Sequence, residues 1–217
     1  IPYAVGDANF DSETTIADVL ALVDFILQET TPSDAAFNNT DVNMDGELNI
    51  ADVVIIVDII SGTTTGRVSN GGSFAHVELS TNHQLSELLV NLDYSGILKG
   101  IQFELKYDPE LVTIGAPTLS LMQENVIITH SKISDGHIKV IVADLSGETV
   151  ESNQQDLVKI PYSFNGEITE VSGISLSDIY VSGPKGKIAD VSSSSVSSDV
   201  KLVPGVFALH QNYPNPF

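Results

Sequence analysis

The chain has 217 residues, with 29 Asp plus Glu against 9 Lys plus Arg, which gives a formal charge of -20 and a pI near 4.2. Neutralising phosphates or seating on anionic lipid both need clustered cationic side chains, so nucleic acid and membrane surfaces are excluded as partners. Cysteine is absent, which removes disulfides, thiol chemistry and thiolate metal sites.

The charge is uneven. Residues 1–62 hold nine Asp and three Glu with no Lys or Arg. Aliphatic runs such as ADVVIIVDII argue against an acidic disordered tail, so bound cations are the expectation. The first residues, IPYAVGDANF, have neither an initiator Met nor a signal pattern, and a processed or partial chain is expected. The aliphatic runs are too short and too interrupted to insert into a membrane.

An internal repeat follows. DANFDSETTIADVLALVDFIL from Asp7 aligns without gaps on DVNMDGELNIADVVIIVDIIS from Asp41. Each copy opens with Asp-x-Asn-x-Asp and has another Asp at position twelve. A 12-residue loop presents oxygens to a hard cation from positions 1, 3, 5, 7, 9 and 12. In the first loop these belong to Asp7, Asn9, Asp11, Glu13 (by its carbonyl), Thr15 (through water) and Asp18. In the second they belong to Asp41, Asn43, Asp45, Glu47 (by its carbonyl), Asn49 and Asp52. The expected cofactor is calcium, two ions. Position six favours glycine because its φ is positive. Gly46 supplies it in the second loop and Ser12 stands there in the first, so the first site is expected to be the weaker.

Each loop precedes one apolar helix, and no entering helix fits before Asp7. This duplicated loop-helix unit, with Asp at position twelve, resembles a type I dockerin over residues 5–62. The resemblance implies a small all-α, EF-hand-like module that plugs into cohesin domains. It implies recognition through Ile16, Ala17, Val23 and Asp24 in the first copy and Ile50, Ala51, Val57 and Asp58 in the second, with docking in either of two orientations. The alternative is that these residues only complete the module's own core.

Residues 63–73, Gly, Ser and Thr rich, read as a flexible linker. Beyond them the period becomes two: Leu88, Val90, Leu92 and Tyr94, then Ile101 to Tyr107, Ile138 to Val142 and Val158 to Phe164. Runs of this kind separated by turn signals indicate an all-β sandwich. KYDPELV, ISDGHIKVIVAD and LVKIPYSF give residues 74–203 a resemblance to a cohesin-like jelly roll. Placing Ile138, Val140 and Val142 inward leaves Ile141 and Ala143 outward, and Val126 and Ile128 inward leave Ile127 outward. Those outward aliphatics are candidates for a receptor face, unless the strands bury both sides.

Residues 204–217 contain FALHQNYPNPF, which resembles the start of a type IX secretion sorting domain and implies export to the cell surface or beyond. No G-x-S-x-G, H-E-x-x-H, phosphate loop or dinucleotide fingerprint is present, and no enzyme is expected. The histidines are scattered without metal spacing, and His130 and His137 are expected at the surface.

Together these features predict a non-catalytic extracellular assembly protein. Its partner is a cohesin-like domain of another chain, another copy of itself being one candidate, with head-to-tail fibres as an outcome. The alternatives are an anchoring appendage of a larger secreted enzyme, such as a glycoside hydrolase, and a carbohydrate-binding module. The last is disfavoured by the absence of Trp.

Overall fold

Two 11-residue helices, α1 (Ile16–Ile26) and α3 (Ile50–Ile60), start at the same point of each repeat because the loop caps them. Thr15 and Asn49 each accept from the backbone two residues on, and Asp18 and Asp52 reach back to the cap backbone, closing two capping boxes. Both helices end in a left-handed residue, Gln28 (φ +59°) and Gly62 (φ +72°). A seven-residue helix, α2 (Asp34–Thr40), capped by Ser33, leads into the second loop. The repeat pattern carries no sign of it. The computed structural model describes residues 4–63, 73–82, 84–150, 156–165, 170–192 and 196–201; most of the 63–73 segment and all of residues 204–217, including FALHQNYPNPF, lie outside the described residues.

The rest is β: β1 (Phe74–Asn82), β2 (Glu87–Tyr94), β3 (Gly100–Lys106), β4 (Val112–Ile114), β5 (Thr118–Leu119), β6 (Val126–Ser134), β7 (His137–Asp144), β8 (Val158–Phe164), β9 (Glu170–Ser182), β10 (Asp190–Val191) and β11 (Val196–Lys201). They form two sheets, ordered β10-β1-β2-β8-β4, with β5 also on β8, and β11-β9-β3-β7-β6. One core fills the space between them, with Val77, Leu88, Val90 and Ile160 from the first sheet meeting Ile101, Phe103, Val140 and Val142 from the second. Alternation along each strand selects these residues. The fold is therefore the expected pairing of a small helical unit with a β-sandwich.

Strands β3 and β7 of the second sheet are buried on both faces. Every residue of β3 from Gly100 to Leu105 and of β7 from Ile138 to Asp144 is buried. The inward phase meets the sandwich core, and the outward residues Ile141 and Ala143 of β7 lie against the helical unit. A second apolar cluster joins Leu22, Ile26, Ile50, Ile55, Ile56 and Val57 of the helices to Ile141 and Ala143 of β7.

Candidate functional site

The two loops have the same internal wiring. The backbone N–H groups of positions five and six donate to the Asp at position one: Asp11 and Ser12 to Asp7 at 3.2 and 2.9 Å, Asp45 and Gly46 to Asp41 at 3.2 and 3.1 Å. Asn9 and Asn43 each accept from position five, at 2.8 and 2.9 Å, and Asp11 and Asp45 from position seven, at 2.9 and 3.0 Å. At position twelve, Asp18 and Asp52 each accept from the residue after the loop's first Asp, both at 2.9 Å. These bonds bend the chain around the oxygens of positions one, three, five and twelve. Ser12 adopts φ +76° where Gly46 adopts +89°, so the non-glycine residue takes the same turn under strain.

Among the described residues no three His, Cys, Asp or Glu side chains converge as a ready-made metal cluster. The donor set is mixed instead, drawing on Asn9, Asn43, Thr15, Asn49 and the carbonyls of Glu13 and Glu47. Such an all-oxygen set suits a hard cation that takes about six to eight ligands. Its electrostatics fit too. Asp7, Asp18 and Asp52 are fully buried with no basic residue in the first 62, and burial pushes the Asp52 carboxyl up to about 7 against the hydrogen bonds that favour its charge.

The repeats differ in what lies over their helices. Ile50 is 0% exposed and Val54 2%, while their counterparts Ile16 and Leu20 are 37% and 48% exposed. The second copy is seated on the sandwich. Ile50 rests on Gly100, and Ile55 rests on Gly186, in the tight turn Pro184–Gly186. Asp58, 4% exposed, accepts from the Lys185 backbone N–H at 2.9 Å. The Tyr180 hydroxyl on β9 donates to Glu47 Oε2 at 2.9 Å, so the side chain of loop position seven faces the sheet. Burial, reinforced by the Glu47 bond, pushes the Tyr180 phenol well above its ordinary range.

The structure thus places Ile50 and Val57 in one apolar cluster with Ile141 and Ala143, Ile127 packing at its margin, while Ala51 lies beside Gly186 and Asp58 meets Lys185. Ile16, Ala17 and Asp24 remain uncovered. Val23 does not share their face; it is buried among the apolar residues of the helical unit with Val19, Leu22 and Ile26. Sequence reasoning does not single out Tyr180, Gly100, Gly186 or Lys185.

Beside the seat lies a charged group. Glu104 meets Lys139 Nζ at 3.2 Å and His137 Nε2 at 2.8 Å, and Lys139 also faces Asp178 at 3.5 Å. His137, expected at the surface, is instead drawn into this cluster; His130 is exposed.

No curated protein matches the chain closely enough to count as a relative. Solved structures similar to it include a cohesin module from a Clostridium perfringens family 33 glycoside hydrolase, 17% identical, covering 60% of this chain and 97% of that one, TM-score 0.47. The sixth cohesin of Acetivibrio cellulolyticus scaffoldin B, in complex with a Cel5 dockerin mutant, is 17% identical, covering 58% and 98%, TM-score 0.42. A type I cohesin–dockerin complex from Clostridium thermocellum is 10% identical, covering 64% and 99%, TM-score 0.45. The family model described as Dockerin type I domain matches residues 5–61, so that segment is a dockerin domain, and a two-sheet β-sandwich follows it.

Proposed function

We propose that this chain is a non-catalytic extracellular assembly protein that works by calcium-dependent dockerin–cohesin recognition. The second loop-helix unit is the plug and the outer face of β9, β3, β7 and β6 is the socket. The observation that carries this reading is the burial of Ile50, Ala51, Ile55 and Asp58 between the two domains, where the equivalent first-copy positions Ile16, Ala17 and Asp24 stay exposed.

The repeated loop wiring supports two calcium ions, one held by Asp7, Asn9, Asp11, the Glu13 carbonyl, Thr15 and Asp18, the other by Asp41, Asn43, Asp45, the Glu47 carbonyl, Asn49 and Asp52. A bound dication cancels carboxylate repulsion that the unit has no basic residue to offset. Dockerin and cohesin-like modules are typically extracellular, in keeping with FALHQNYPNPF as an export signal. No helix among the described residues is long and apolar enough to cross a membrane.

Plug and socket on one chain close on each other at low concentration and exchange between copies at high concentration. An exchanged contact is heterologous and runs on head to tail or closes into rings. Gln102 supports an exchangeable seat. It lies on the outward phase of β3, 1% exposed, with its Oε1 lacking a donor among the described residues. Sedimentation of the full chain over a concentration series, in millimolar calcium and in chelator, tests this reading. It expects a compact monomer that gives way to calcium-dependent larger species. Monomer at every concentration contradicts the exchange, and species indifferent to chelator contradict the role of calcium.

A further inference from the structure

The two helices carry nearly the same face, yet only one is seated. The second unit presses on the sandwich through Glu47, Ile50, Ile55, Asp58 and Ser61. Their counterparts in the first copy are Glu13, Ile16, Ala21, Asp24 and Leu27, so three are duplicated and two are not. Ile55 is wholly buried and occupies the space that glycine leaves at position 186, where a methyl group would come within 2.5 Å of Ile55 Cγ1 and 2.8 Å of the Ala51 carbonyl oxygen. Alanine in that place would leave the notch unfilled, which is a costly defect in a close-packed contact. Ser61 stands over Gly147 at the exposed rim of the seat, where a methyl group would come within 2.5 Å of its Oγ. In the first unit Leu27 is turned into the dockerin interior instead, 2% exposed.

We propose that Ile55 decides which of the two closely similar faces the socket accepts, restricting docking to the second unit in one orientation. This rests on the plug-and-socket reading above. Glu47, Ile50 and Asp58 supply contacts that either face could make; the Gly186 notch reads the residue at position 55, which the duplication did not preserve.

The full chain has no cysteine, so paired substitutions report orientation directly. Glu47→Cys with Tyr180→Cys, or Glu13→Cys with Tyr180→Cys, is treated with a short bis-maleimide at low protein concentration in millimolar calcium, and folding is checked by circular dichroism. The 47–180 pair is expected to link at least about tenfold more than the 13–180 pair. Exchanging Ala21→Ile with Ile55→Ala should reverse that preference. Equal linking of the two pairs, or a preference that this exchange does not move, overturns the assignment to Ile55. Absence of linking by either pair above the Tyr180→Cys single variant overturns the plug-and-socket reading itself.

Discussion

Ile50 lies on the bare backbone of Gly100: a methyl group there would come within 2.7 Å of Ile50 Cγ1 and 3.0 Å of the Val142 carbonyl oxygen. The first residue of α3 thus meets the first residue of β3, although the linker and two strands separate them in the chain. Gly100→Ala is expected to weaken docking by about 1–3 kcal/mol through overpacking. Native-state hydrogen exchange reads this as faster exchange in α3 with β2 and β8 of the far sheet unchanged. Equal protection of α3 in the variant contradicts the contact.

The Tyr180–Glu47 hydrogen bond is the polar counterpart of that contact. Because burial keeps the phenol protonated well past neutral pH, it donates under all physiological conditions. Tyr180→Phe should loosen docking by about 0.5–1.5 kcal/mol. Glu47→Gln should cost less, since an amide oxygen still accepts. Both are measurable by the same exchange experiment.

Ser12 and Gly46 occupy the same left-handed turn at position six of their loops. Ser12→Gly relieves about 1 kcal/mol of backbone strain, and calorimetric titration should show the first calcium site tightening by about fivefold. Gly46→Ala should weaken the second site by a similar factor. In the unmodified chain the second site is expected to be the tighter, and the reverse order would contradict the strain argument.

Glu104 gives a pH dependence with a definite sign. Burial works to raise its pKa, but the hydrogen bond from His137 and the charge of Lys139 prevail and hold it below the usual carboxylate range. A depressed folded value means that the contribution is complete above the ordinary carboxylate pKa and is lost as pH falls through the lower folded value. Glu104→Gln should therefore lower stability by about 1–2 kcal/mol near neutral pH. The gap from the unmodified chain should close in acid, as the pH falls through that lowered value. Thermal melts across that range check it, and a gap that widens in acid contradicts the assignment.

Much of this was legible in the residues. Oxygens at positions one, three, five and twelve, repeated in both copies, name the loops because few local structures use that spacing. Period-two runs such as Leu88 to Tyr94 name the sandwich because alternation is what a half-buried strand requires. The short helix Asp34–Thr40 escaped because DAAFNNT has no apolar stripe, and Ser33 was its one local signal. The seat itself was not readable. Gly100, Tyr180 and Gly186 come from different parts of the chain, and the choice between two matching faces depends on Ile55 meeting a glycine that sequence periodicity does not point to.

In the proposed function, calcium folds the acidic unit and the folded unit sits on its own sandwich. Small-angle X-ray scattering of the dilute full chain, first in millimolar calcium and then in chelator, puts both halves of that proposal to one test. With calcium, the expected radius of gyration is near the compact value of about 17 Å for this length. In chelator it should increase clearly, as the plug unfolds and leaves the sheet. A radius that is the same in both conditions would contradict the proposal.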